Sequence, residues 1–264
     1  MDAPAIHPKT PVIEMTAVSV ASGGDPGSAI LEDVNWSVGA GEYWVLGGMH
    51  GAGKTNLLAL ADGLTPPLRG SYRLFGREMP GTGDQFLAER LRIGLVFDGG
   101  QLFHRLTIEE NVALPLRYHR DLARGDLGHS VKTILEATGL SPWAGRLPGA
   151  VGRGWQKRAG LARALVLRPE VLLLDNPLGG LDSRHVHWWL DALGQLSAGH
   201  GLLEGAPMTL VVAAEDLRPW RNRAAHFAIL QKRQFCPLGH HRQLAELTDP
   251  LVKELLAEQP APPE

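Results

Sequence analysis

Eight consecutive residues have the types and the spacing of a phosphate-binding loop. They are Gly48, Met49, His50, Gly51, Ala52, Gly53, Lys54 and Thr55. The run matches the pattern G-x-x-x-x-G-K-[ST], in which glycines allow successive backbone N–H groups to line one anion site. In that pattern the lysine contacts the β- and γ-phosphates, and the hydroxyl that follows coordinates Mg²⁺. The loop therefore predicts a site for a nucleoside triphosphate and Mg²⁺, with Lys54 and Thr55 as its main side chains.

The segments around the loop fit this chemistry. Residues 43–46 (YWVL) have the apolar character of a buried strand, and residues 57–61 (LLALA) have that of a helix. A helix that begins at the loop adds its positive N-terminal end to the anion site. A second apolar strand at 171–174 is followed by Asp175. The carboxyl end of such a strand is where we expect an acidic ligand of Mg²⁺.

Strands and helices alternate along most of the chain. Short apolar runs over 12–38, broken by a glycine-rich turn, predict antiparallel strands. The continuous apolar runs at 171–174 and 209–212 predict parallel strands that are covered on both faces. Helical periodicity dominates from about 98 to 156. The sequence therefore predicts an α/β fold of the P-loop NTPase class, with a mostly parallel core sheet, an antiparallel β subdomain and an inserted helical subdomain.

Composition narrows the class of protein further. The chain has 264 residues and a formal net charge of −2, so no basic excess indicates nucleic-acid binding. No basic and apolar leader opens the sequence, and no apolar run approaches the ~20 residues that span a bilayer. A single cysteine, Cys236, excludes an intramolecular disulfide and fits a reducing compartment. We therefore expect a cytoplasmic protein.

Together these segments resemble the ATP-binding subunit of an ABC transporter. Residues 48–55 match the Walker A loop of that family, and residues 171–175 match its Walker B strand. Residues 179–182 (GGLD) are similar to its D-loop, and residues 161–165 (LARAL) match the helix that follows its signature motif. The resemblance extends from about Val12 to Leu256. It implies ATP and Mg²⁺ as ligands, and the choice of ATP over GTP depends on it alone.

Two further segments indicate a branch of the family. Residues 102–103 together with 106–116, and residues 249–256, resemble the ATPases of Mce/Mla-type lipid transporters. The predicted organisation is a flexible arm at 1–10, an ABC ATPase domain at 11–258 and a disordered tail at 259–264. Within the domain we expect a RecA-like core at about 11–97 and 157–240, a helical subdomain at about 98–156 and a C-terminal helix at about 241–258.

Several positions differ from the family pattern. The catalytic glutamate after Walker B is replaced by Asn176, whose carboxamide cannot accept a proton from water at neutral pH. We place Ala214 at the position of the switch histidine that contacts the γ-phosphate. Asp98 replaces the Q-loop glutamine, and its carboxylate could still coordinate Mg²⁺. Asn56 replaces the second hydroxyl of the Walker A Ser-Thr pair.

The signature motif also differs. In family dimers each ATP lies between the Walker motifs of one subunit and the LSGGQ signature of the other. The aligned residues are 151–155 (VGRGW), so Gly152 lacks the serine hydroxyl and Arg153 replaces a glycine. Arg153 could form a charged clamp or block closure of the dimer. No aromatic residue lies near 20–22, where one would stack on adenine.

Two functions fit these residues. The first is an ATP-binding transporter subunit that works with a membrane permease, at the inner membrane, as a homodimer or a heterodimer with another ATP-binding subunit. The second is a pseudo-ATPase, a regulatory or scaffold subunit in which nucleotide only stabilises the assembly. Asn176 favours weak or absent hydrolysis in either case. A nucleic-acid-handling ABC protein is disfavoured, because such proteins usually carry two cassettes or a long coiled-coil insertion.

Overall fold

The computed structural model describes most of the chain. The described residues are 11–25, 27–79, 81, 83–119, 124–199, 205–246 and 248–257. The predicted arm at 1–10 and the predicted tail at 259–264 lie outside them.

Ten strands and seven α-helices make up the described fold. In chain order the strands are β1 (Ile13–Ala21), β2 (Ala29–Val38), β3 (Tyr43–Gly47), β4 (Arg69–Leu74), β5 (Arg77–Glu78), β6 (Ile93–Val96), β7 (Val171–Asp175), β8 (Thr209–Ala214), β9 (His226–Gln231) and β10 (Gln234–His240). The helices are α1 (Lys54–Ala61), α2 (Leu87–Arg90), α3 (Ile108–His119), α4 (Arg124–Ala137), α5 (Arg153–Leu165), α6 (Ser183–Ala198) and α7 (Pro250–Leu256).

A six-stranded sheet forms the core, in the order β10-β9-β3-β8-β7-β6. The five strands from β9 to β6 are parallel, and β10 is antiparallel to β9. Alternate residues of β7 face opposite sides of the sheet. Leu172 and Leu174 contribute to one hydrophobic cluster and Val171 and Leu173 to the other. Because both faces are covered, these strands are apolar throughout, as the sequence predicts.

A second, antiparallel sheet has the order β2-β1-β4-β5. Its apolar residues, together with Leu57 and Leu58 of α1, share one hydrophobic cluster with Leu46 of β3. Helix α1 therefore packs between the two sheets. Helices α3 and α5 contribute to the cluster on the other face of the core sheet. This arrangement confirms the predicted fold class, with a mostly parallel core, an antiparallel β subdomain and an inserted helical segment.

The C-terminal part differs from the single helix that the sequence predicts over about 241–258. The described residues instead form a 3₁₀ segment at His241–Glu246 and the short helix α7. The Asp249 carboxylate accepts hydrogen bonds from the backbone N–H groups of Leu251 and Val252, and Pro250 occupies the first turn. A capped start with proline begins a new helix and interrupts the preceding one. Across the described residues, none of the helices combines the length and the hydropathy needed to cross a bilayer.

Candidate nucleotide-binding site

The phosphate-binding loop connects β3 to α1. Gly53 is the N-cap of α1, with φ of +94°. A Cβ atom there would lie 3.2 Å from side-chain carbons of Ile30 and Leu31, so both the dihedral angle and the packing require glycine. The first N–H groups of α1 have no acceptor within the helix and carry its positive dipole end. The loop thus presents backbone donors of the kind that bind phosphate.

Lys54 is folded back over this loop. Its side chain is only 7% exposed, and Nζ donates hydrogen bonds to the carbonyl oxygens of Gly48 (2.6 Å) and Met49 (2.9 Å). Burial lowers the pKa of Lys54, while the carboxylates of Glu215 and Asp175 raise it. A bound phosphate would give this ammonium group a stronger, ionised acceptor than the two carbonyls.

Thr55 and Asp175 meet although they are 120 residues apart in the chain. The Thr55 hydroxyl donates a hydrogen bond of 2.7 Å to Oδ2 of Asp175, the last residue of β7. Burial raises the pKa of Asp175, the bond from Thr55 lowers it, and the charge of Asp98 raises it. A hydroxyl and a carboxylate are hard oxygen ligands, which suit Mg²⁺. A divalent cation here would also offset the cost of the buried carboxylate.

Asp98 lies at the same cavity but is already engaged by two cations. Its Oδ1 is 2.9 Å from Nζ of Lys157 and 3.1 Å from Nη2 of Arg153. Burial raises the pKa of Asp98, but the hydrogen bonds and charges of Lys157 and Arg153 outweigh it, so the pKa is lowered. Among the described residues no three His, Cys, Asp or Glu side chains are grouped closely enough to bind one metal ion. Asp98 would have to leave these partners to coordinate Mg²⁺.

The loop after β7 carries Asn176. This residue adopts a left-handed conformation with φ of +46°, which asparagine tolerates better than most residues. Its backbone N–H donates to the carbonyl of Ala213, and its own carbonyl accepts a bond of 2.7 Å from Lys157. A side chain at Gly179 would collide with the Asn176 carboxamide.

Ala214 and Glu215 lie at the end of the neighbouring strand. Ala214 is the last residue of β8 and is 4% exposed. The next residue, Glu215, lines the cavity, with Oε1 3.4 Å from Nδ1 of His50 and 3.7 Å from Nζ of Lys54. The sequence analysis did not identify Glu215. The signal that points to it is its position just beyond a buried strand, at the edge where ligand groups gather in parallel sheets.

The cavity formed by these groups has a volume of about 250 Å³. It is lined by residues 50–56 of the loop and α1, by Ile30, and by four side chains at the carboxyl edge of the sheet, namely Asp98, Asp175, Asn176 and Glu215. The carboxamide of Asn56 donates to the carbonyl of Ala21, so it ties α1 to the end of β1. Apart from His50, no aromatic ring lines the cavity within the part of the chain that is described.

Helix α5 begins in the segment that resembles the signature motif. Gly152 is its N-cap, and Arg153 is turned toward Asp98 of the same chain. A Cβ atom on Gly154 would overlap the imidazole of His185, so α5 and α6 are in direct contact at this glycine. The Asp182 carboxylate caps α6 by accepting from the backbone N–H of His185, and it also lies 2.9 Å from Nδ1 of that residue.

Lys157, which the sequence analysis did not single out, connects three segments around the cavity. It is 1% exposed, and Nζ donates to the carbonyl oxygens of Asn176 (2.7 Å) and Gly179 (2.8 Å) besides its ion pair with Asp98. Burial lowers the pKa of Lys157, and Asp98 raises it. One buried ammonium group thus joins α5 to the loops that follow β6 and β7.

Comparison with known proteins assigns this chain to a family. The family model described as "ABC transporter" matches residues 31–179, more than half of the chain. The "Intermembrane phospholipid transport system ATP-binding protein MlaF" of Escherichia coli K12 is 29% identical over 255 residues, which cover 95% of this chain and 91% of MlaF.

A second relative and a solved structure agree with the family match. The "Probable ribonucleotide transport ATP-binding protein mkl" of Mycobacterium leprae is 30% identical over 230 residues, or 87% of this chain. The matched region spans 65% of the length of that relative. The dimeric structure of the ATP-binding cassette MJ0796 in a post-hydrolysis state bound to ADP and Pi has a TM-score of 0.74 at 26% identity. That similarity covers 84% of this chain and 95% of the cassette.

Proposed function

The chain belongs to the ABC transporter family as an ATP-binding subunit, and on that premise we propose that it binds Mg²⁺–ATP and hydrolyses it slowly or not at all. The observation that carries the binding step is the hydrogen bond of 2.7 Å from the Thr55 hydroxyl to the Asp175 carboxylate, in the cavity that the phosphate-binding loop also lines. Thr55 and Asp175 would coordinate Mg²⁺, and Lys54 with the loop amides would bind the phosphates. Mg²⁺ held by these two residues would neutralise part of the charge of the bound phosphates.

Slow hydrolysis follows from the residues around the terminal phosphate. Asn176 has a carboxamide where the family has a carboxylate base, and a missing base typically costs ~10²–10⁴ in rate. A lost transition-state donor costs a further ~10²–10³, although such factors do not simply multiply. Arg153 supports the same proposal, because it is paired with Asp98 of its own chain instead of being free to meet a partner's nucleotide.

The quaternary assembly that we propose rests on the membership of the chain in the ABC transporter family. We propose that the chain pairs with a second ATP-binding subunit, identical or different, and with a membrane permease, and that it lies at the cytoplasmic face of the inner membrane. The name of MlaF describes an intermembrane phospholipid transport system, which supports a lipid as cargo. A pseudo-ATPase scaffold is the second candidate, and the carboxamide of Asn176 favours it over a subunit with rapid turnover.

Thermal unfolding with and without Mg²⁺–ATP tests the binding step. A ligand at 100 times its Kd stabilises by about 2.7 kcal/mol, so we expect the Tm to rise by roughly 5–10 °C. Lys54→Ala should abolish the shift. Lys132→Ala is the matched control, because the Lys132 side chain is 76% exposed on α4, outside the site. Equal shifts for the wild-type protein and Lys54→Ala would refute nucleotide binding at this loop.

Phosphate release separates the two candidates. A slow rate that disappears in Lys54→Ala identifies a weak ATPase. If ATP binds but the wild-type protein releases phosphate no faster than Lys54→Ala, the chain is the pseudo-ATPase scaffold. Turnover as rapid as that of an ordinary transporter ATPase would contradict both.

A further inference from the structure

Glu215 places a carboxylate in the nucleotide cavity that the proposed binding chemistry does not use. Its Oε1 lies 3.7 Å from Nζ of Lys54, the cation that phosphate-binding loops use for the β- and γ-phosphates. The Glu215 side chain is 46% exposed, so it borders both the cavity and solvent. A second contact joins Oε1 to Nδ1 of the fully exposed His50 at 3.4 Å.

The other carboxylates near this point have close partners of their own. Asp216 accepts hydrogen bonds of 2.9 and 2.7 Å from the Arg218 guanidinium. Asp98 is paired with Lys157 and Arg153, and Asp175 accepts from Thr55. Within the part of the chain that the structure describes, Glu215 is thus the carboxylate that forms an ion pair with Lys54, and it would share this cation with a bound phosphate.

The charge of Glu215 acts differently on the two outer phosphates. In phosphate-binding loops the backbone amides hold the inner phosphates and the lysine reaches the β- and γ-phosphates. A terminal phosphate that Lys54 contacts would therefore lie close to Glu215, whose Oε1 is 3.7 Å from Nζ of Lys54. A carboxylate there competes for Lys54 and repels the terminal phosphate most. The interaction of unit charges about 5 Å apart changes an affinity by between roughly 4-fold in water and roughly 300-fold near a protein surface. Since Glu215 is half-exposed, we expect an effect of roughly tenfold.

We infer that Glu215 determines nucleotide specificity by discriminating against the terminal phosphate, so that this site binds a nucleoside diphosphate more tightly than the triphosphate. The inference depends on the nucleotide binding proposed above and adds a preference between two ligands of the same site. Such a subunit would remain in a diphosphate-bound state unless the triphosphate is in large excess.

Isothermal titration calorimetry with Mg²⁺–ADP and with Mg²⁺ plus a non-hydrolysable ATP analogue tests the inference. The wild-type protein should bind ADP more tightly than the analogue. Glu215→Gln should raise affinity for the analogue by roughly tenfold and affinity for ADP by less than about threefold. Glu170→Gln is the matched control, because Glu170 is similarly exposed (54%) and is paired with Arg92 at the opposite end of β7. It should leave both affinities unchanged.

The outcomes distinguish the inference from the proposed function. If both nucleotides bind and Glu215→Gln leaves the ratio of affinities within twofold, the inference fails while nucleotide binding stands. Weaker binding of the analogue by Glu215→Gln, the result expected of a lost metal ligand, also overturns it. If neither nucleotide binds any variant, the proposed function fails and the inference with it. The expected result is a gain in affinity, which an unfolded variant cannot produce.

Discussion

Replacement of Lys157 by methionine should be among the most destabilising single changes near the site. Methionine has a similar length but no charge, so Lys157→Met removes the donor and leaves the chain path of α5 intact. Two carbonyl oxygens, those of Asn176 and Gly179, would lose a charged donor at 2.7 and 2.8 Å. Asp98 would lose its partner at 2.9 Å, although the Asp98 side chain is 40% exposed and water can replace part of that contact.

The magnitude follows from these contacts. A hydrogen bond to a charged group contributes about 1.5–3 kcal/mol, and breaking a buried ion pair typically costs about 3–5 kcal/mol. Because Lys157 is 1% exposed and its two hydrogen bonds to these carbonyls are partly buried, replacement water has limited access to them. We expect Lys157→Met to lower the free energy of unfolding by about 3–5 kcal/mol, which lowers the Tm by roughly 10 °C.

Urea unfolding at equilibrium measures this loss as a lower midpoint with an unchanged m-value. Lys132→Met, at a side chain that is 76% exposed, should change the free energy by less than about 0.5 kcal/mol. The double variant Asp98→Asn with Lys157→Met separates the ion pair from the carbonyl contacts, since coupling between the two sites reports the pair alone. A loss below about 1 kcal/mol for Lys157→Met would show that the loops after β6 and β7 do not depend on this ammonium group.

Two further predictions concern acid–base behaviour and catalysis. Burial raises the pKa of Asp62 from 3.8 to about 7, against the opposing charge of Arg90. The folded state therefore binds this proton more tightly than the unfolded state does. The resulting contribution to the free energy of unfolding is fully present below pH ~4. It is lost as the pH rises from ~4 to ~7, a decrease of up to about 4 kcal/mol. Asp62→Asn should remove this component of the pH dependence. Urea unfolding at pH 5 and at pH 8 measures the free energy of unfolding at each pH. If the difference between these two free energies is the same in Asp62→Asn as in the wild-type protein, the assignment to Asp62 is contradicted. We placed the switch histidine at Ala214 from the sequence, but the side chain that lines the nucleotide cavity is that of Glu215. The paired change Asn176→Glu with Glu215→His should therefore raise the rate of phosphate release at least ~10²-fold. No increase in the double variant would place the defect outside these two positions.

The positions of the core strands at 43–46, 171–174 and 209–212 and of the phosphate-binding loop were predictable because each depends on local sequence. Uninterrupted apolar runs identify strands that are covered on both faces, and the spacing of glycines with Lys54 and Thr55 identifies the loop. The position of Asp175 follows from the end of β7, where the run of apolar residues stops.

Contacts between distant segments were not predictable in the same way. Glu215 was missed because a shift of one residue in where β8 ends determines which side chain enters the cavity. Lys157 looks like an ordinary basic residue on a helix, and only the folded chain brings it to the carbonyls of Asn176 and Gly179. The prediction of a single C-terminal helix was wrong because Asp249 caps the start of a separate helix, α7.

The close approach of His185 to Gly154 has a mechanical consequence. Because Gly154 has no side chain, the imidazole of His185 lies directly against the backbone of α5, near the first turns of both helices. The Asp182 carboxylate also contacts this imidazole, 2.9 Å from Nδ1. The glycine-containing segments that lead into these two helices should consequently move as one rigid unit.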